Sequence, residues 1–443
     1  MRAEDREKFA KRTLSHARAD QTEVAIYAEN AALTRFTHQD VHQNVASQDV
    51  VVSVRAIVDG RTGVASANRT DDASIADLVA RATELARLAP RDPALPELPA
   101  GGPTTAPAGA YASATAEAGA DLRAQICDTY FRIAERDGLW CAGYAKTIAS
   151  GVTVANTNGA LASYDGTFAG TNVKMNAADS TGFAEACAAD VGSIDATAVG
   201  ETAARKARET RAPRSVEPGA WTVILEAPAF AELLSYISDH FSAQAYDEGS
   251  SFCTGGLGTA LLGDNVTIRE DYAHPLVLGM PFDFEGAPTE RLALVENGIV
   301  RSVVTDSYWA HKLDMPNTGH ALPAPNAYGP QPRAIVVSPG SRTTEELIAS
   351  TERGLLVSRL WYVRTVDQRK AIVTGMTRDG TYLIENGRLA GGVRNMRFNH
   401  SIVEALKRCE FGLDLHRSSN EHYSVVTPAI KIEGFTFSSG TEF

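Results

Sequence analysis

Two acids separated by a single residue, Asp283 and Glu285, open the stretch of this chain best supplied with side chains that could do chemistry. It runs Pro281 to Ala321, PFDFEGAPTERLALVENGIVRSVVTDSYWAHKLDMPNTGHA, and adds a third acid, Asp306, the aromatic pair Tyr308-Trp309, and the histidines His311 and His320. Short apolar runs flank Asn297-Gly298, a dipeptide that readily takes the positive φ angles of a tight hairpin turn. Acids at one end of a hairpin and histidines beyond its other end can line one cleft. The competing reading is a surface loop whose charges are merely solvated.

The elements that must position these groups follow from periodicity. Residues 2–19 read as a helix rich in paired charges, and Val24, Ile26 and Ala28 alternate as a strand. The run Val50–Val58 ends at Asp59-Gly60, a hairpin turn. Ile75, Leu78, Val79, Ala82, Leu85 and Ala86 keep helical spacing, with Asp71, Asp72 or Ser74 as candidate caps. Six prolines between Pro90 and Pro107 make residues 90–112 a linker or wrapping loop. A helix is expected over 117–136, stopped by Gly138, followed by strands 140–148 and 152–155 and the turn Asn158-Gly159. After a short Ala-rich helix over 198–210, the Pro- and Gly-broken run 211–219 marks a boundary. Beyond it come strand 221–225, helix 230–241, strands 335–337 and 355–366, helices 344–353 and 402–408, a turn at Asn386-Gly387, and a last strand over 429–437. The expectation is an α+β chain: an N-terminal α/β domain of mixed sheet and helices over 1–215, and a C-terminal, strand-rich domain with few helices over 216–443.

Composition narrows the function classes. At 443 residues, two or more domains are the default, and 44% apolar with 22% charged content is ordinary for a globular chain. A net charge of −12 argues against a phosphate-backbone partner, so no nucleic acid is expected. Apolar runs stay short of the roughly 18 residues of a membrane span, and the charged start lacks a signal-peptide core. The expected location is cytoplasmic. Five scattered cysteines without a C-x-x-C pair argue against a disulfide framework or a closed zinc knuckle.

The Pro281–Ala321 stretch resembles the C-terminal region of the TldD/PmbA family. The family pattern reads F-D-D-E-G-x-x-T, an E-N-G-x-L turn, D-x-Y-x-A-x-K-L and a T-G-N-A-like close. Here the same positions read Phe282-Asp283-Phe284-Glu285-Gly286, Thr289, Glu296-Asn297-Gly298, Asp306-Ser307-Tyr308, His311-Lys312-Leu313 and Thr318-Gly319-His320-Ala321. Asn156-Thr157-Asn158-Gly159 is similar to the N-S-x-G element of the family's first domain. The resemblance implies a peptidase fold that holds substrate as an extended strand, with Asp283, Glu285, Asp306, Tyr308 and His320 as peptide-binding candidates.

Family members that cleave peptides carry H-E-x-x-x-H on the first helix of the second domain, with zinc on the histidines, glutamate as base, and a late cysteine as third ligand. That motif falls here on Ser235-Tyr236-Ile237-Ser238-Asp239-His240. Serine is a poor zinc ligand, and a phenol is a weak base at neutral pH. The segment Asp414–Asn420 has no cysteine, and Cys409 comes too early. The chain therefore resembles the PmbA/TldE branch, which lacks the zinc motif and pairs with a motif-bearing TldD subunit. Ser251-Phe252, the run Glu270–Pro275 and Arg417-Ser418-Ser419 agree with that branch. The resemblance implies no catalytic residue and no metal in this chain, zinc in a TldD-like partner, a peptide substrate and a dimer, hetero- or homo-. Two other readings stay open: a self-sufficient peptidase with a relocated metal site, and a peptide-binding module without proteolysis. For the former, His274, His311, His320, His416 and His422 are the candidate ligands, although their spacing matches no ligand pattern.

Overall fold

A computed structural model of the chain describes residues 1–418 and 423–441. Helix α1 (Ala3–Leu14) precedes a six-stranded sheet of β1 (Gln21–Thr37), β2 (Asp40–Val58), β3 (Arg61–Ala67), β4 (Trp140–Asn156), β5 (Leu161–Asn176) and β6 (Thr181–Ala188). The order is β3-β2-β1-β4-β5-β6, with every neighbouring pair antiparallel. Strand β4 runs unbroken where the pattern suggests two pieces. Its small residues Ala149, Ser150 and Gly151 are paired on both sides, to β1 and to β5, so the ladder continues through them.

Helices α2 (Asp72–Leu88), α3 (Ser113–Ala116), α4 (Ala120–Asp137) and α5 (Ala196–Glu209) complete the N-terminal half. Asp71 is the N-cap of α2, its carboxylate accepting the Ser74 N–H at 3.0 Å. Gly138 ends α4 in the left-handed conformation at φ 64. Period-two alternation makes β1 two-faced. Val24 and Ile26 pack with Ile75, Leu78 and Val79 of α2, while Ala25 and Tyr27 face a cluster built around Phe282 of the C-terminal half. Residues 89–112 form no helix or strand and lie along the sheet, where Asn156 Nδ2 donates to Pro99 O at 2.8 Å.

The C-terminal half begins with β7 (Gly219–Leu225), α6 (Ala227–Ser238) and α7 (Ala243–Asp247). One sheet then gathers β8 (Ile268–Glu270), β9 (Leu292–Glu296), β10 (Ile299–Val300), β11 (Ala334–Val337), β17 (His416–Arg417) and β18 (Ser424–Thr427), with α8 (Ser307–Leu313) inserted after β10. The other holds β12 (Arg353–Asp367), β13 (Ile372–Glu385), β14 (Arg388–Gly392), β15 (Met396–Ser401), β16 (Cys409–Phe411) and β19 (Ile430–Gly440), with α9 (Thr344–Ala349) and α10 (Ile402–Ala405) between strands. Its order β12-β7-β19-β15-β13 closes because β12 also pairs with β13, giving a five-stranded barrel. Closure removes the open edges that invite aggregation. Parallel pairing occurs in this half, between β11 and β18 and between β12 and β7, so the molecule is α+β with mixed sheets.

The largest core lies here. Leu233, Leu234, Phe230 and Ile237 of α6 are each at most 1% exposed, packed with Val223, Leu225, Ile335 and Val425. Burial of each such side chain contributes about 1.5–3 kcal/mol, so α6 is held by its apolar face. Among the described residues, no helix is long and apolar enough to cross a membrane.

Candidate functional site

The acidic loop is built around Asp283. Its Oδ1 accepts the N–H groups of Glu285 and Ala287 at 2.9 Å each, and its Oδ2 accepts that of Ala321 at 2.9 Å. Gly286, at φ 79, permits the tight turn these bonds close. Asp283 is 0% exposed, so the solvated-loop reading does not hold. Burial, and then the charge of Glu285, push its carboxyl up to about 7.

Glu285 ties this loop to the first sheet. Its Oε1 pairs with Arg55 Nη1 of β2 at 3.0 Å, and its Oε2 accepts the Ser307 N–H at 3.0 Å. Arg55 Nη2 also reaches Glu23 Oε2 of β1 at 2.6 Å, so one guanidinium bridges two buried carboxylates. Burial raises Glu23 to about 7, although Arg55 opposes the shift. Asp306 caps α8 by accepting the Trp309 N–H at 2.8 Å, and burial raises it to about 6. Asn297 and Gly298, at φ 49 and 77, form the expected hairpin turn between β9 and β10.

Tyr308 is half-buried, its ring edge-on to Trp309 with centroids 5.6 Å apart. Glu285, Asp306 and Tyr308 share a cleft of about 720 Å³ with Arg55, Asp92 and Trp309. Asp283 and His320 do not line it. His320 is 0% exposed; its Nδ1 lies 2.9 Å from Thr318 Oγ1 and its Nε2 3.5 Å from Glu270 Oε1. Thus three of the five peptide-binding candidates converge on one cavity, and the other two are buried outside its lining.

The degenerate motif sits at the end of α6. Ser235 Oγ donates to Glu232 O at 2.7 Å on its own helix, and Tyr236 OH donates to Val363 O of β12 at 2.6 Å. Past Ser238 the helix tightens into one 3₁₀ turn, Asp239–Phe241, which carries His240. His240 is 1% exposed, accepts the Phe252 N–H at Nδ1 (3.1 Å), and is lowered to about 4 by burial. Its Nε2 is a buried atom without a partner, yet Ser235 and Tyr236 direct their oxygens to backbone carbonyls instead of to it. Cys409 lies on β16, its Sγ 3.7 Å from Leu406 O and its thiol pushed up to about 12 by burial. These residues do not fit a zinc site. Among the described residues, no group of three or more His, Cys, Asp or Glu side chains is placed to hold a metal ion. His422 and Ser419 lie outside the described residues.

Glu23 and Arg55 are functional-site residues that the sequence analysis does not single out. Arg55 meets Glu285 across 230 positions, a contact no local pattern announces. In hindsight a charged residue at each of two inward-facing strand positions was the available clue.

Comparison with known proteins follows the same outline. The model of the PmbA/TldA metallopeptidase C-terminal domain matches residues 218–439; those of domain 1 and the central domain match 23–86 and 111–211. Metalloprotease PmbA of Escherichia coli O157:H7 is 26% identical over 244 residues, covering 53% of this chain and 51% of that protein. The Haemophilus influenzae homologue is 28% identical over 248 residues, with the same coverage. The chain spans about half the length of the curated relatives it matches. The crystal structure of TldE from Thermococcus kodakarensis superposes with a TM-score of 0.88 at 20% identity, over 99% of this chain and 100% of that one, which shows a shared fold. With the C-terminal model spanning the barrel and the acidic loop, and two more models covering most of the first sheet and its helices, the chain belongs to the PmbA/TldD metallopeptidase family.

Proposed function

We propose that this chain is the subunit without a metal in a two-subunit peptidase of the TldD/TldE type, acting on unfolded peptides. A related subunit with an intact H-E-x-x-x-H helix would carry the zinc and the general base. One observation carries the reading: at the end of α6 the three motif positions are committed to packing. Ser235 and Tyr236 bond to backbone carbonyls, and His240 is buried against Phe252, with ring centroids 5.0 Å apart. A metal-bound water would find no ligand pair and no carboxylate base there.

The cleft holding Glu285, Asp306, Tyr308 and Trp309 is the part of this chain proposed to face the peptide. Its carboxylates are tied by Arg55 and by backbone N–H groups, so it offers a shaped wall in which the aromatic pair supplies apolar contact. The fold shared with Thermococcus TldE is compatible with this reading. The five cysteines are free thiols, which suits the proposed cytoplasmic location.

The test is co-expression with a motif-bearing homologue, purification through a tag on this chain, and assay of an unstructured peptide. Cleavage is expected only in the mixture, abolished by chelator, and retained with His240→Ala in this chain. If no homologue co-purifies and the mixture is no more active than the homologue alone, the subunit reading is wrong. Stoichiometric metal in the isolated chain, lost on His240→Ala, would instead establish a relocated site.

A further inference from the structure

Two stretches noted in the sequence without an assigned role, Glu270–Pro275 and Arg417-Ser418, meet in space. They contribute to a cavity of about 210 Å³ between the first sheet and the C-terminal half, separate from the cleft at Tyr308. Its charged lining comes from Arg333, Arg417, Glu270 and Glu29, and its apolar lining includes Val152, Phe168, Val277 and Phe284.

The polar groups here are left with unused bonding capacity. Arg333 spends Nη2 on Phe282 O (2.8 Å) and Thr289 Oγ1 (3.2 Å), while its Nε is buried without a partner. Arg417 reaches Val277 O through Nη1 at 3.3 Å and lies 5.3 Å from the Phe168 ring centroid; its Nε is also buried and unpartnered. Glu270 is 1% exposed. Its Oε2 accepts the Ala334 N–H at 3.0 Å, and its Oε1 has no hydrogen-bond partner, His320 Nε2 standing 3.5 Å away. Tyr164 closes one side by donating to Leu278 O at 2.6 Å. Buried polar atoms are rarely left unsatisfied in native proteins, so three around one cavity call for an explanation.

Their chemistry describes the missing group. Two guanidinium N–H donors select an anion, and guanidinium suits planar carboxylate better than a point charge does. Glu270 and Glu29 disfavour a dianion such as phosphate, because each adds a like charge close by. Oε1 of Glu270, with only His320 Nε2 near it at 3.5 Å and no hydrogen bond, can take an N–H donor, and the aromatic and aliphatic walls ask for an apolar side chain. An amino-acid residue with a free α-carboxylate supplies all three. We infer that this cavity binds a terminal apolar amino-acid residue, its carboxylate on Arg333 and Arg417 and its N–H on Glu270. The inference does not rest on the subunit reading, since the isolated chain tests it whether or not a partner exists.

The experiment is calorimetric titration of the full chain with N-acetyl-leucine, N-acetyl-leucinamide and free leucine. N-acetyl-leucine should bind, and the amide, lacking the carboxylate, at least about tenfold more weakly. Arg417→Gln should weaken N-acetyl-leucine by a similar factor with an unchanged melting temperature and circular dichroism spectrum. Glu270→Gln should spare the carboxylate preference. Leucine binding as well as N-acetyl-leucine supports the site and assigns it to free amino acids; much weaker leucine assigns it to peptide ends. Equal binding of acid and amide, or no binding at millimolar ligand by the folded protein, overturns the inference.

Discussion

At the scale of single residues, titration separates two kinds of buried group. His240 is lowered to about 4 by burial, so its imidazole is neutral in the folded chain and must gain a proton on unfolding in acid. A depressed folded value means stability present above the unfolded value near 6.5 and lost as pH falls through the folded one. Between pH 7 and pH 4 this group alone should cost about 3 kcal/mol. We expect His240→Phe to flatten that part of the acid limb, read by guanidinium unfolding at the two pH values. An unchanged acid limb would show that His240 is not buried neutral. Asp283, Glu23 and Asp306 work in the opposite direction. Burial raises them to about 7, 7 and 6, so the stability they allow is full at low pH and declines as pH rises through those values.

At the scale of elements, the first sheet is seated under its helices by two glycines. Gly63 on β3 lies against α2, where an added Cβ would collide with the backbone of Ala82 and Ala86. Gly182 on β6 repeats the device against α5, at Ala203 and Ala207. A methyl group at either place must push a helix off the sheet, and overpacking of this kind costs about 1–3 kcal/mol. Gly63→Ala should therefore lower the melting temperature by several degrees while leaving the C-terminal barrel's near-ultraviolet signal intact. A variant as stable as the parent would mean that α2 is not seated as described. β4 teaches a related lesson. The stretch Ala149-Ser150-Gly151 has weak strand propensity, and its two flanking ladders override that preference.

At the scale of the whole molecule, buried charges tie the halves together. Arg55 joins β1 and β2 to the acidic loop through Glu23 and Glu285, and Lys206 of α5 pairs with Glu226 ahead of α6. Asp379 of β13, 1% exposed, accepts from Thr181 of β6 at 2.9 Å and from Arg359 at 3.1 Å. Removing one partner of such a pair is far costlier than the pair is worth, because a charge is left buried alone. Arg55→Met should destabilise by about 3–5 kcal/mol, measured by chemical denaturation, and should shift the Glu23 titration further upward, since Arg55 opposes its rise. Adding Glu23→Gln and Glu285→Gln to it should recover much of the loss. A loss under about 1 kcal/mol in the single variant would show that the cluster is solvated.

The sequence by itself determined many of the local elements and the family, but not strands β5 and β6. Asp71 before an apolar helical stripe, Gly138 after one, and the Asn297-Gly298 turn each act within a few residues, so their spacing is visible in the linear chain. The proposal that Ser235 and Tyr236 stand where the family's zinc ligand and base would be also starts from the linear chain, because ligand chemistry belongs to residue type. Tertiary structure decided the rest. It buried Asp283 and His320 outside the lining of the cleft that Glu285, Asp306 and Tyr308 share, and it set Arg55 against Glu285. It also brought Glu270, Arg333 and Arg417 around one cavity. Those outcomes depend on which face of which strand meets which loop across hundreds of residues. That is a matter of sheet order and packing, which residue spacing along the chain does not encode.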